Sequence, residues 1–361
     1  MKQVFAQRGR ITVENVPAPL IEKGRVLVEV AYSLISPGTE LSVVNSSGQT
    51  LVDKVLEQPE RLKKVVEYLR QQGVKKTITV VRRQTSEEAR PIGYSCSGYV
   101  VQVGEGITDL RPGDPVACAG AGMANHAEIV LVPRNLVVKI PEGCDFKSAA
   151  SATLGAIALQ GVRRADVRLG ETVAVVGLGL LGQITVQLLK ASGCRVVGLD
   201  VDARRVELAG KSGADLALNS AEVSVDSAIR HWTGGHGVDA TIITAASQSD
   251  SLVQQAMEIT RKKGRVVVVG AVGLGLKRSP FYEKEIDFLI SCSYGPGRYD
   301  LAYEEQGLDY PYSYVRWTEN RNMQEYLRLD SEGSVELSAI LEREYDLDRA
   351  EQAYAELSGS K

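Results

Sequence analysis

The chain has 361 residues, 44% of them hydrophobic and 24% charged, with a net charge of −3. That length predicts two or three domains, and the composition excludes a disordered chain. The near-neutral charge argues against nucleic acid or an anionic membrane as a partner, and no window is apolar enough to span a bilayer.

Residues 1 to about 44 read as short strands and turns. Val26–Val30 alternates apolar and charged residues, the pattern of a half-buried strand, and Ser36-Pro37-Gly38-Thr39-Glu40 is a turn that should begin a helix. Residues 45–90 differ. Leu62, Val65, Val66 and Leu69 follow helical spacing, and eight basic against two acidic residues lie between Glu60 and Arg83. A solvated helical insertion is the plain expectation; a lid or anion-facing wall over a site is the sharper one. From Gly93 the pattern returns to strands at Tyr99–Val103, Pro115–Ala117, His126–Val132 and Leu136–Lys139. Dense turn signals between them predict a small β-barrel. Asp145 is placed to cap a helix over Ser148–Ala165.

The strongest signal begins at Glu171. An apolar run, Val173–Val176, meets Gly177-Leu178-Gly179-Leu180-Leu181-Gly182; a helical pattern follows, then a second apolar run ending on Asp200. Strand, glycine turn, helix, strand and acid together form a dinucleotide-binding unit. Gly177 permits the tight turn, Gly179 leaves the backbone open to a pyrophosphate, and Gly182 allows close helix–sheet packing. The helix N-terminus at Leu180 and Leu181 offers free N–H groups to the phosphates. Asp200 is expected to bind the adenosine ribose hydroxyls and repel a 2′-phosphate, favouring NAD(H) over NADP(H). Strands and helices then alternate to Arg265–Val269, which predicts a parallel sheet covered on both faces. After Gly275 the alternation ends. Residues 281–321 are rich in aromatic and charged side chains, and Asn322–Leu329 and Asp348–Leu357 read as helices.

Five scattered cysteines with no Cys-x-x-Cys fit a reducing cytoplasm, and with only three histidines the supply of metal ligands is poor. His126, His231 and His236 receive no role: the first falls on a barrel strand, the others beside Gly234-Gly235.

The segments PGTE (37–40), GYSCSGYVVQVGEGITDLRPGDPV (93–116), HAEIVLVPRNLVVKIPEG (126–143) and VAVVGLGLLG resemble the medium-chain dehydrogenase/reductase superfamily over most of the chain. The resemblance implies a GroES-like barrel followed by a Rossmann domain. The expected layout is 1–148 for the substrate domain with its insertion, 149–290 for the Rossmann domain, and 291–361 for a return to the first. It also implies a homodimer. The zinc ligands of the superfamily do not carry over: Pro37 stands at the cysteine position, Tyr94 at the histidine position and Leu154 near the third. No zinc is therefore expected. LISPGTE, PIGYSCSG, SYGPGRYD and YPYSYVRWTENRNM resemble more specifically a zinc-lacking subgroup of bacterial bi-domain proteins. In these an alcohol-dehydrogenase-like half is fused to a Gfo/Idh/MocA-type half, often in a setting of sugar metabolism.

Without zinc, another group must handle the substrate oxygen and proton. Thr39 occupies the superfamily's hydroxyl relay position, Tyr94 faces the empty metal position, and Glu40 could orient the relay. Lys284 is a further acid–base candidate. Tyr294, Arg298 and Tyr299 have the aromatic and charged character of a sugar-binding surface. The leading expectation is an NAD(H)-dependent, zinc-independent oxidoreductase interconverting hydroxyl and carbonyl on a polar, sugar-like small molecule. A quinone or enone reductase and a non-catalytic cofactor-binding half are the alternatives.

Overall fold

The computed structural model describes residues 1–47, 89–341 and 343–359. Most of the predicted 45–90 insertion, and with it the lid expectation, lies outside the described residues. Among them no helix is long and apolar enough to cross a membrane.

Strands β1 (Lys2–Gln7) and β2 (Arg10–Asn15) form a hairpin. Arg8 and Gly9 make its two-residue turn, both at positive φ, the geometry whose twist matches the strands it joins. β3 (Arg25–Ser33) delivers the chain to α1 (Pro37–Ser47). Then come β4 (Arg90–Pro91), β5 (Ser95–Val103), β6 (Pro115–Ala119), β7 (Ile129–Pro133) and β8 (Val137–Lys139). Five of these strands form one antiparallel sheet in the order β7-β3-β5-β6-β8, and β2-β1-β4 forms a second. Gly98 makes the β3–β5 crossing possible, because a Cβ there would sit 1.9 Å from the Glu29 carbonyl oxygen.

Asp145 caps the next helix as predicted, accepting a hydrogen bond from Ser148 N at 2.7 Å. That helix breaks into α2 (Phe146–Ala149) and α3 (Ala152–Arg164), where one continuous helix was expected.

A six-stranded parallel sheet follows. Its members are β9 (Thr172–Val176), β10 (Arg195–Asp200), β11 (Leu216–Asn219), β12 (Val238–Ile243), β13 (Thr260–Val268) and β14 (Asp287–Ile290). The helices between them are α4 (Leu180–Ala191), α5 (Ala203–Lys211), α6 (Val225–Trp232) and α7 (Ser251–Ile259). The strand order, β11-β10-β9-β12-β13-β14, reverses at β9, the doubly wound order that leaves a ligand crevice at the carboxyl ends of the strands beside the reversal. Apolar side chains from both faces form the core: Val173, Val175 and Ile242 face one set of helices; Ala174, Val176 and Ile243 face the other. The alternation does not end at Gly275, as the sequence pattern predicted, since β14 adds a sixth parallel strand on β13. Its apolar run, Phe288-Leu289-Ile290, is too short and too closely flanked by charge to register as a strand.

α8 (Glu319–Ser331) packs on α3. A Cβ on Gly155 would fall 2.2 Å from the Tyr326 ring, so this glycine lets the helices approach closely. The last helix, α9 (Ala350–Gly359), returns to the β2-β1-β4 sheet, where Ala350 and Tyr354 join a core with Val4, Ala6, Ile11, Leu41 and Val44. The fold is thus a Rossmann-type parallel sheet beside a curled antiparallel sheet.

Candidate functional site

One large cleft, with a cavity volume of about 2820 Å³, is lined both by the glycine turn after β9 and by the loop from β3 into α1. A pocket for one small molecule typically has roughly 300–1,000 Å³, so this volume suits a dinucleotide together with a substrate. Gly177, Gly179, Leu180, Leu181, Gly182 and Asp200 line one end; Thr39, Tyr94, His126 and Tyr354 line the other.

At the dinucleotide end each glycine has a distinct physical reason. Gly177 has φ +95°, and a Cβ there would meet Ala245 at 2.6 Å. A Cβ on Gly182 would lie 1.9 Å from the Gly177 carbonyl oxygen, so helix and turn touch backbone to backbone. A Cβ on Gly179 would meet nothing within 4 Å. Gly179 caps α4, and the first N–H groups of a helix have no intrahelical acceptor, so open space lies beside a partial positive charge. The cradle fits a pyrophosphate.

Asp200, 8% exposed, holds the turn together. Its Oδ2 accepts from Leu178 N at 2.6 Å, and its Oδ1 accepts from Val201 N at 2.8 Å and Asp202 N at 3.0 Å. A carboxylate offers about four lone-pair directions, so capacity remains for a ligand hydroxyl. The Arg205 guanidinium stands 3.8 Å away and lines the same cleft.

At the other end a polar network sits under the cleft wall. Glu40, on the first turn of α1, is 1% exposed and accepts three hydrogen bonds. Ser36 N donates to Oε1 at 2.8 Å, His126 Nε2 meets Oε2 at 2.9 Å, and the Tyr354 hydroxyl donates to Oε2. His126, 3% exposed, places Nδ1 2.8 Å from Ser33 Oγ. Its backbone is pinned as well: His126 N donates to Ile92 O and His126 O accepts from Val4 N, each at 2.9 Å. Burial, then the Glu40 charge, pushes the Tyr354 phenol far up, so it stays protonated and donates. Tyr94 is also raised, chiefly by burial, while hydrogen bonds with Ser36 and Thr39 oppose the shift. It therefore remains a donor at neutral pH.

Thr39, Glu40 and Tyr94 thus come together. His126, given no role from the sequence, joins them through Glu40, and Tyr354 arrives from a helix 314 residues beyond Glu40. The only sequence signal for His126 was a histidine amid apolar strand residues, and the strand it was assigned to starts later, at Ile129.

The remaining candidates lie elsewhere. Lys284 does not line the cleft; its Nζ donates to the carbonyls of Met257, Glu258 and Thr260 at 3.0, 2.6 and 2.8 Å, closing the C-terminus of α7. Burial, followed by repulsion from Arg230, lowers its pKa, but no substrate space adjoins it. Tyr294, Arg298 and Tyr299 are also outside the cleft. Arg298 pairs with Glu304 at 2.5 Å and stacks on Tyr299 at 4.2 Å, while Tyr294 is buried beside Glu319. These three belong to the packing of the 294–319 segment. The aromatic density that suggested a sugar surface reflects that packing.

Zinc suits this donor set poorly. Pro37 and Leu154 line the cleft but carry no ligating atom, Tyr94 is held protonated, and Glu40 and His126 bind each other. Among the described residues no group of three His, Cys, Asp or Glu side chains converges.

Comparison with known proteins agrees with the fold. Residues 181–305 match the family model of zinc-binding dehydrogenases. A D-guloside 3-dehydrogenase of Shigella flexneri is 34% identical over 238 residues, covering 64% of this chain and 63% of that protein, so the match spans less than two thirds of its length. Among solved structures, the alcohol dehydrogenase TADH from Thermus sp. ATN1 aligns with a TM-score of 0.75 at 20% identity, covering 100% of this chain and 97% of that one. Escherichia coli quinone oxidoreductase complexed with NADPH aligns with a TM-score of 0.71 at 15% identity, covering 99% and 97%. The chain is thus similar to zinc-binding dehydrogenases over residues 181–305, and in fold to alcohol dehydrogenases and quinone oxidoreductases.

Proposed function

We propose that the chain is an NAD(H)-dependent oxidoreductase that interconverts a hydroxyl and a carbonyl on a polar, sugar-like substrate without zinc. The observation that carries this reading is the single cleft joining the open Gly179 cradle to the Tyr94–Thr39–Glu40–His126 network. A bound nicotinamide dinucleotide would supply the hydride acceptor or donor. The residues of this chain do the rest. Gly177, Gly179 and the first turn of α4 receive the pyrophosphate, and Asp200 accepts from the adenosine ribose. Tyr94, kept protonated by burial, donates to the substrate oxygen and stabilises the charge that grows on it. Thr39, hydrogen-bonded to Tyr94, fixes the phenol's direction. The sugar-like substrate class draws support from the name of the guloside dehydrogenase relative.

A second reading concerns the cofactor alone. Arg205, 3.8 Å from Asp200 and lining the cleft, could meet a 2′-phosphate, which favours NADP(H). Fluorescence titration of the purified chain with NADH and NADPH decides between them. Tenfold or greater preference for NADH supports the first reading, and the reverse supports the second. Absence of binding by both would remove the oxidoreductase assignment. Turnover of methyl D-guloside with NAD⁺, followed at 340 nm, tests the substrate class.

A further inference from the structure

We propose that Ser33, His126 and Glu40 form the proton-carrying chain of this site, with Glu40 and Tyr354 as the residues that position it. The proposal rests on the oxidoreductase reading above and adds the group that takes the substrate proton.

The geometry sets both the direction and the tautomer. Glu40 is buried and its Oε2 already accepts from the Tyr354 hydroxyl. An ionised carboxylate only accepts, so His126 must present Nε2–H to it across 2.9 Å. In the neutral ring that leaves Nδ1 bare, aimed at Ser33 Oγ 2.8 Å away, and Ser33 lines the cleft. Serine hydroxyl, imidazole and carboxylate in series make the arrangement by which a hydroxyl is activated for proton transfer. Here the hydroxyl faces a cleft with a dinucleotide cradle. Ser33 Oγ takes the proton of the substrate hydroxyl as its own proton passes to His126 Nδ1, and the hydride leaves the same carbinol carbon for the nicotinamide. The substrate loses two electrons and becomes a carbonyl, and the cofactor is reduced. The imidazolium is stabilised by Glu40 until Nδ1 returns its proton through Ser33 to cleft water.

The titratable groups against the ring are Glu40 from α1 and Tyr354 from α9, edge-on at 6.3 Å between centroids, and Tyr94, just before β5, lines the same cleft. Charged side chains on the same cleft wall include Arg90, Glu128, Lys147 and Arg349. Neither other histidine lines the cleft.

The test uses the full chain labelled with ¹⁵N-histidine, with the His126 resonance identified by its loss in His126→Gln. The expected result is a ring that carries its proton on Nε2 and leaves Nδ1 bare, with that tautomer preference lost in Glu40→Gln. In parallel, NADH formation from methyl D-guloside should drop 10²–10⁴-fold in His126→Gln and lose its pH dependence. The milder Ser33→Ala variant should show a comparable drop, and Tyr354→Phe should move the pH profile with KM unchanged. NADH affinity should stay within twofold throughout. A ring that carries its proton on Nδ1 and leaves Nε2 bare, or wild-type rate and pH profile in both His126→Gln and Ser33→Ala, would overturn the relay. Failure of the wild-type chain to bind NADH or NADPH would instead overturn the oxidoreductase reading, a result the histidine tautomer does not depend on.

Discussion

Two glycines three positions apart give a sharp test of the cofactor cradle. Gly179 and Gly182 belong to one turn, yet an added side chain meets opposite circumstances at each. At Gly179 the backbone is ordinary extended (φ −66°, ψ −171°) and a Cβ meets no protein atom within 4 Å. Gly179→Asp should therefore leave the ligand-free fold within about 0.5 kcal/mol of wild type. A bound pyrophosphate would feel it strongly. A carboxylate about 4 Å from one phosphate charge costs about 4 kcal/mol at an effective dielectric of 20, close to a thousandfold in affinity. At Gly182 the added Cβ lies 1.9 Å from the Gly177 carbonyl oxygen, so α4 must retreat by about an ångström, a strain that typically costs about 1–3 kcal/mol. Gly182→Ala should therefore lower the melting temperature of the ligand-free protein, which Gly179→Asp should not. Thermal unfolding without ligand, set beside NADH fluorescence titration, separates the two. If Gly179→Asp binds NADH within threefold of wild type, the pyrophosphate does not sit in this cradle.

Other expectations follow from the same geometry. Asp200→Ala strands three backbone N–H groups, so it should destabilise the ligand-free protein by roughly 2–4 kcal/mol as well as weaken NADH; an unchanged melting temperature would show that Asp200 does not hold the turn. Lys284→Met should cost about 1–2 kcal/mol through loss of its hydrogen bonds to the end of α7, while leaving turnover of methyl D-guloside unchanged; a large kinetic effect would return Lys284 to the active site. Glu319 is buried with neither carboxylate oxygen hydrogen-bonded, and burial, reinforced by Glu304, raises its pKa to about 9. The folded state then holds a proton that the unfolded chain releases above its ordinary value of 4.5. Stability should fall by about 1.4 kcal/mol per pH unit between those values and level off above them. Glu319→Gln should remove that slope in denaturant melts across pH 5–9; an identical slope in the variant would place the titration elsewhere.

The readability of this chain from sequence followed the range of its interactions. The 171–200 unit was legible because strand, turn, helix and acid are contiguous, and glycine is the one residue that meets each local demand. Asp145 as a cap and Pro37–Glu40 as a helix start were legible for the same reason. β14 was not, because an edge strand of four residues need not carry a long apolar run. The hub of the site was hidden for a deeper reason. His126 and Glu40 are 86 residues apart, and Tyr354 meets Glu40 across 314. Nothing in their local patterns marks them as partners. Lys284, Tyr294 and Arg298 erred the other way. Their residue types suit chemistry, but composition does not say which way a side chain faces, and here lysine closes a helix end and arginine neutralises Glu304.

The position of Tyr354 also bears on how the protein comes into being. The parallel sheet is built from one unbroken stretch, β9 to β14, and its dinucleotide turn can form as soon as that stretch has left the ribosome. The Glu40 carboxylate has to wait much longer for its third donor. Until α9 is made and docked against the β2-β1-β4 sheet, one wall of the cleft and one hydrogen bond to the buried acid are missing. Under the proposed function, a nascent chain would hold a dinucleotide before it could organise proton transfer, and chemistry would be withheld until synthesis of α9 closes a loop of more than three hundred residues.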